Sequence, residues 1–84
     1  MRKDMWNQLK GLTADQLIRA LERDGFQQDF RSGATLAYVK KGPPRKRMVI
    51  HYHSGKQYGP KFLKGVIDDI GWTDDDLRRL RLIR

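Results

Sequence analysis

A glycine followed by two prolines, at residues 42–44, constrains the fold more than any other feature of this 84-residue chain. Proline fixes φ and offers no backbone N–H to a sheet, so this segment cannot lie inside a strand. The runs on either side, residues 35–39 and 48–53, are rich in strand-forming side chains. The sequence therefore predicts two antiparallel strands joined by a loop over residues 40–47. Five basic side chains lie in that loop: Lys40, Lys41, Arg45, Lys46 and Arg47.

Two amphipathic helices are predicted, one on each side of the strands. Thr13 and Gln16 have the spacing of a capping box, and Gly25 is a candidate C-cap, which together indicate a helix of about three turns. Pro60 favours the first turn of the second helix, and Gly71 ends it. The apolar stripe of that helix is Phe62, Leu63, Val66, Ile67 and Ile70.

The remaining segments complete an α+β pattern. A short helix over residues 1–10 comes first, residues 26–30 are predicted to be a strand, and a last helix opens at Thr73, ahead of a docked amphipathic tail. We therefore expect one domain over residues 1–84, with a three-stranded antiparallel sheet and two main helices packed on one face. A short C-terminal helix follows. This is the element order of the double-stranded RNA-binding fold.

Charge and composition limit the partners. The chain carries a formal net charge of +8, which is typical of a nucleic-acid binder and would also attract an acidic protein. It contains no cysteine, so we expect neither disulfides nor thiolate metal ligands. No apolar run approaches the roughly 20 residues that span a bilayer, and no signal-peptide core follows Met1. We expect a cytoplasmic protein with no membrane partner.

The histidines are the candidate acid–base groups. His51 and His53 are the only two in the chain, and their i, i+2 spacing in a strand puts both rings on one side of the sheet. If Met48, Ile50 and Tyr52 face the core, the two imidazoles face outward. The alternative is a solvated or structural pair. No third ligand lies at useful spacing, so we expect no metal and no cofactor.

The chain resembles the HicA (YcfA-like) toxins of bacterial toxin–antitoxin pairs. The stretches that carry the resemblance are residues 17–26 (LIRALERDGF), 31–33 (RSG), 58–64 (YGPKFLK) and 70–73 (IGWT), with a third strand that ends in His53. The resemblance implies a double-stranded RNA-binding-like fold and a metal-independent mRNA endoribonuclease activity. It also implies inhibition by a HicB-like antitoxin.

One position departs from the family pattern. Family members typically place a catalytic histidine two residues after the glycine that precedes the second strand, whereas here Gly33 is followed by Ala34 and Thr35. Threonine cannot act as a general base at neutral pH. A natural subgroup, an inactivated toxin and an engineered substitution would each explain the difference.

Strand pairing predicts where an acid–base group that replaces the missing family histidine would lie. Pairing across the proline loop would set Thr35 opposite His51 or His53, about 4.5–5.5 Å apart at Cβ. The resemblance implies a histidine at His53, while His51 stands where the family more usually has a proline. The candidate catalytic set is therefore His51 and His53, with Thr35 at the family's catalytic position.

RNA contact is predicted for the basic loop and for the start of the second helix, where Lys56, Lys61 and Lys64 lie. Two alternatives remain open: a non-catalytic RNA-binding module, and a basic protein-interaction domain. The sequence also leaves the oligomeric state open, a homo-oligomer included.

Overall fold

The chain folds as a three-stranded antiparallel sheet with helices on one side, in a computed structural model that describes residues 3–52 and 57–84. The strands lie in the order β1-β2-β3, so β2 is central. This architecture confirms the predicted α+β fold class and its similarity to the double-stranded RNA-binding fold. In chain order the elements are α1 (Lys3–Leu9), α2 (Ala14–Arg23), β1 (Gln27–Ser32), β2 (Thr35–Lys40), β3 (Lys46–His51), α3 (Pro60–Ile70) and α4 (Asp74–Arg79).

Side-chain caps fix where two of the helices begin. The Thr13 hydroxyl accepts from the Gln16 backbone N–H at 3.3 Å, and the Gln16 side chain accepts from the Thr13 N–H at 2.9 Å. This is the predicted capping box of α2. A second capping box, between Thr73 and Asp76, begins α4. Each box satisfies backbone donors that the first helical turn leaves unpaired.

The predicted boundaries of α3 are also confirmed. Pro60 is its first residue, and Gly71 follows its last with φ of 82°, in the left-handed region that favours glycine. The predicted apolar stripe faces inward, because Phe62 is half-buried and the other four members are buried in the core: Leu63, Val66, Ile67 and Ile70.

The sheet has one face toward the helices and one open face. Met48 and Ile50 are buried in the core, whereas Val49 is 41% exposed and His51 is exposed on the other face. Tyr52, one residue beyond β3, is half-buried against the core. The predicted orientation of the third strand is therefore confirmed as far as residue 52, and His53 lies outside the described residues.

The basic loop is shorter than predicted. Lys40 and Lys46 pair with each other as the last residue of β2 and the first of β3, and Arg47 pairs with Val39. Only residues 41–45 connect the strands. The prolines exclude strand pairing only at their own positions. A basic side chain can extend from a strand into solvent, as that of Arg47 does, or pair within the fold, as Lys40 does with Asp24, so charge did not mark the strand ends.

The first strand is shifted slightly from its predicted bounds. Strand β1 begins one residue later and ends two residues later than predicted, since Phe26 is buried before the strand and Ser32 still pairs with Thr35. Helix α4 ends at Arg79, and the tail beyond it docks through buried Leu80 and Ile83.

In the part of the chain described, no helix is long and apolar enough to cross a membrane.

Asp24 joins the helices to the sheet. Its carboxylate is 6% exposed and accepts hydrogen bonds from Trp72 Nε1 at 2.9 Å and from Arg79 at 2.7 Å, while Lys40 Nζ lies 3.2 Å away. Burial by itself would raise the pKa of Asp24, but the hydrogen bonds from Trp72, Arg79 and Lys40 and the Lys40 charge hold it below the ordinary 3.8. The folded protein therefore keeps this carboxylate ionised.

We predict that Asp24→Asn lowers the free energy of unfolding by about 1–3 kcal/mol at neutral pH, because the amide no longer compensates Lys40 and Arg79. A carboxylate with a lowered pKa stabilises the fold above its unfolded pKa, near 3.8, and this contribution is lost as the pH falls through the folded value. The stability difference between wild type and variant, measured by urea denaturation, should therefore shrink below pH 3.8. A difference that stays constant from pH 7 into that range would contradict this role.

Candidate functional site

Thr35 and His51 lie together at the end of the sheet opposite the loop between β2 and β3. Strand β2 begins at Thr35, β3 ends at His51, and the register pairs these two residues directly. Thr35 Oγ1 lies 3.4 Å from His51 Nδ1, at the long end of hydrogen-bond distance. Thr35 was predicted to lie opposite His51 or His53, and the structure pairs it with His51.

Two tyrosines anchor the strand end that carries His51. The Tyr52 N–H donates to the Ala34 carbonyl at 2.6 Å, and its hydroxyl donates to Asp15 Oδ1 on α2 at 2.9 Å. The Tyr58 hydroxyl donates to the His51 carbonyl at 3.0 Å. The backbone of His51 is therefore tied both to the neighbouring strand end and to the segment that leads into α3.

Tyr58 keeps its proton in this position. Burial raises its pKa above the ordinary 10.0, and the negative charge of Asp15 acts in the same direction. The phenol remains neutral and can go on donating to His51. Sequence reasoning missed both tyrosines as positioning residues, because the only local signal is an aromatic side chain with a polar end near a strand terminus.

The contact with Thr35 orients the imidazole. A threonine hydroxyl can either donate or accept, so it can hold either neutral tautomer of His51 at Nδ1. If Nδ1–H donates to Thr35, Nε2 carries the lone pair and acts as a base. If Thr35 donates, Nε2 carries the proton and acts as an acid. Either way, Nε2 is the nitrogen that this contact leaves open.

An apolar row lies next to this pair on the open face. Phe30, Ala37 and Val49 occupy paired positions across the three strands, one row away from Thr35 and His51. Phe30 is 51% exposed, so its ring remains accessible on the open face. From the sequence, Phe30 was predicted only as the end of the first strand.

The predicted RNA contacts divide into two groups. Lys41 and Arg45 are exposed on the loop, Arg47 is exposed on β3, and Lys61 and Lys64 are exposed on the first two turns of α3. Lys56 lies outside the described residues. The fold engages the other two: Lys40 pairs with Asp24, and Lys46 Nζ donates to the Ile70 carbonyl at the end of α3.

Metal coordination finds no support in the part of the structure that is described. Over residues 3–52 and 57–84, no three His, Cys, Asp or Glu side chains group closely enough to hold an ion. The three consecutive aspartates at residues 74–76 belong to the first turn of α4. There Asp76 completes the capping box, and Asp75 lies 3.5 Å from Arg78.

Most of this architecture matches a known protein family. Residues 14–72, from the start of α2 through the sheet to the end of α3 and Trp72, match the model of the HicA toxin of bacterial toxin–antitoxin pairs. The chain belongs to the HicA toxin family. The match covers well over half of its length and confirms the resemblance seen in the sequence. No curated protein and no solved structure matches the chain. Helix α1 and the segment from Thr73 onward lie outside the HicA match.

We predict that the basic residues in and beside the loop between β2 and β3 differ in how much they contribute to the free energy of unfolding. Lys46→Gln should lower the free energy of unfolding by about 1 kcal/mol, because the charge and its hydrogen bond at the carboxyl end of α3 are lost. The paired control, Lys41→Gln with Arg45→Gln, should change it by less than about 0.5 kcal/mol, as expected for exposed loop residues. Urea denaturation measures both. Equal losses in the two proteins would show that Lys46 is not anchored to α3.

Proposed function

We propose that this HicA toxin is a metal-independent endoribonuclease that cleaves mRNA in the cytoplasm and that a HicB-like antitoxin holds inactive. The observation that carries the proposal is the Thr35–His51 pair in a chain of this family. Thr35 Oγ1 and His51 Nδ1 lie 3.4 Å apart at the end of the sheet opposite the loop between β2 and β3. An exposed, oriented imidazole is the group that acid–base cleavage of RNA requires.

The reaction needs a base, an acid and cations, all of which protein side chains can supply. In the proposed step, His51 Nε2 takes the proton of a ribose 2′-hydroxyl, and the 2′-oxygen attacks the adjacent phosphorus. The bond to the 5′-oxygen breaks, and that oxygen receives a proton from a second group, the role we assign to His53. The products are a 2′,3′-cyclic phosphate and a 5′-hydroxyl. Each acid–base partner contributes about 10²–10⁴-fold.

Cationic and aromatic side chains would hold the RNA. Lys41 and Arg45 on the loop, with Arg47 on the open face, would neutralise phosphate charge, and Lys56, Lys61 and Lys64 would do so near the start of α3. The exposed ring of Phe30 offers a surface on which an unpaired base can stack. Lys40 and Lys46 would contribute less, because Asp24 and Ile70 already engage them.

A second candidate function, RNA binding without cleavage, rests on Thr35. This residue occupies the position at which the resemblance places the usual catalytic histidine. If His51 does not replace that histidine chemically, the same surfaces would still bind RNA.

We predict that His51→Ala and His53→Ala each reduce the rate of cleavage of structured mRNA in EDTA by roughly 100-fold or more. Thr35→Val, which removes the hydroxyl at similar volume, should reduce it by about three- to tenfold, whereas the matched Thr35→Ser should retain activity because it keeps the hydroxyl. Thr35→His should leave activity unchanged or raise it.

Two outcomes would decide between the candidates. Full activity in the double variant of His51 and His53 would remove both imidazoles from the mechanism. Cleavage by Thr35→His alone, with RNA binding intact in the unchanged chain, would establish the non-catalytic function. Gel separation of end-labelled RNA, with binding measured on the same proteins, reads out both.

We predict that the antitoxin presents acidic groups to the basic loop and covers His51 and His53. Long-range attraction should make its association fast at low salt, and added salt should slow association more than it speeds dissociation. An interface of about 1,600 Å² in total would be sufficient for tight inhibition. Stopped-flow binding and chemical modification of histidine test this. A salt-independent association rate, with both histidines still modified in the complex, would place the inhibitory surface elsewhere.

A further inference from the structure

A basic cavity of about 400 Å³ lies on the helical side of the molecule, where α1, α2 and the C-terminal tail meet. Among the lining residues that the structure describes, four are cationic, two are glutamines and none is acidic. Its volume falls in the range of ligand pockets. The charged and amide side chains that line it are Gln8, Lys10, Gln16, Arg19, Arg23 and Arg81.

A second cavity, of about 660 Å³, extends the first. The two share Gln8, Arg81 and Leu82, and the second adds Arg78 and Arg84. Together they form one elongated depression, which we call the tail groove, lined by six cationic side chains. A row of cations along a groove suits an extended polyanion better than a single small anion.

The tail groove lies partly outside the family match, since α2 is within the match but α1 and the C-terminal tail are not. Lys10 and Arg81 both lie beyond residues 14–72. The tail is fixed in place, because the Arg84 N–H donates to Gln8 Oε1 at 2.7 Å and the Arg23 guanidinium donates to the Leu80 carbonyl at 3.1 Å. The groove is therefore preorganised rather than formed by a loose terminus.

Arg81 has an unusual backbone. Its φ is +63°, and it is the non-glycine residue that the structure places in the left-handed region among residues 3–52 and 57–84. A side chain with a Cβ adopts this conformation at a cost. The strained residue is also one that lines both cavities. This left-handed residue ends α4, where the Leu82 N–H donates to the Leu77 carbonyl at 2.9 Å, and it directs the tail into the groove.

One wall of the tail groove is a row of polar side chains on α2. Gln16 is the first groove residue on that helix. From there Arg19 and Arg23 follow along α2 at i+3 and i+7, on one side of the helix.

We propose that the tail groove binds the phosphate backbone of RNA and acts as a second contact surface for the substrate. Arginine forks pair bidentately with phosphate, and the two glutamines can hydrogen-bond ribose hydroxyls. The inference rests on the proposed function for the identity of the ligand. We therefore assign RNA as the occupant, because the proposed function makes RNA the substrate, and an acidic protein is the alternative that the experiment tests.

Fluorescence anisotropy with a labelled single-stranded RNA in EDTA tests the proposal. Every protein carries His51→Ala, so that cleavage is slow while binding is measured. Adding Arg19→Gln and Arg81→Gln should weaken binding by tenfold or more at low salt. The plot of the logarithm of the association constant against the logarithm of the salt concentration should also become less steep. Its negative slope should shrink in magnitude by about 1.4, since each phosphate contact on a single strand contributes about 0.7. The matched control, Lys3→Gln with Arg31→Gln, removes the same charge from exposed positions outside the groove and should change affinity by less than about threefold.

A second variant separates binding from folding. Arg81→Gly suits the left-handed conformation, so its melting temperature should equal or exceed that of the parent while its affinity for RNA falls. Unchanged affinity in a folded Arg81→Gly protein, or equal losses in the groove and control variants, would overturn the proposal.

The failures of the two proposals are distinguishable. If the unaltered chain binds RNA through the tail groove but does not cut it, the groove proposal stands and the cleavage proposal fails. If RNA is cut and the groove variant binds it normally, only the groove proposal fails. A groove variant that loses affinity for polyglutamate but keeps its affinity for RNA would assign the groove to an acidic protein instead. Absence of RNA binding in every protein would overturn both.

Discussion

The buried carboxylate of Asp24 is the interaction on which the arrangement of helices over the sheet depends. It binds side chains from three other parts of the chain: Trp72 after α3, Arg79 on α4 and Lys40 at the end of β2. A buried charge is costly unless it is paired and hydrogen-bonded, and here all of its partners must be in place together. In a domain of 84 residues, whose core is small, one such cluster fixes the packing of four elements at once.

Contacts with the helical side of the fold determine which cations in and beside the loop between β2 and β3 remain for a ligand. Lys40 and Lys46 pair with each other where the loop joins β2 and β3. Lys40 pairs with Asp24, and Lys46 donates to the Ile70 carbonyl, so both are held by the helical side of the fold. The hairpin end of the sheet is thereby held against the helices. At the opposite end, the hydrogen bonds of the tyrosines hold the backbone of His51. A site supported in this way can present one imidazole in a fixed position, as catalysis by positioning requires.

Local chemistry was predictable from the sequence and long-range polar contacts were not. The end of α3 at Gly71 follows from a single residue, and the pairing of Thr35 with His51 follows from the position of the hairpin loop and the period of a strand. By contrast, Asp24 and Trp72 are 48 residues apart, and no spacing pattern connects them. The tail groove was missed for the same reason, because its cations converge only once the C-terminal tail has docked against α1 and α2.

The most direct test of this account is the chemistry of the RNA ends that the purified toxin produces in EDTA. Attack by a 2′-hydroxyl, with His51 as the base, must leave a 2′,3′-cyclic phosphate on one fragment and a 5′-hydroxyl on the other. Mass spectrometry of the fragments should find these ends, and replacing the ribose at the cleaved position by deoxyribose should abolish the cut. Fragments with 5′-phosphate and 3′-hydroxyl ends, or cleavage that appears only when a divalent metal is supplied, would contradict the proposed mechanism.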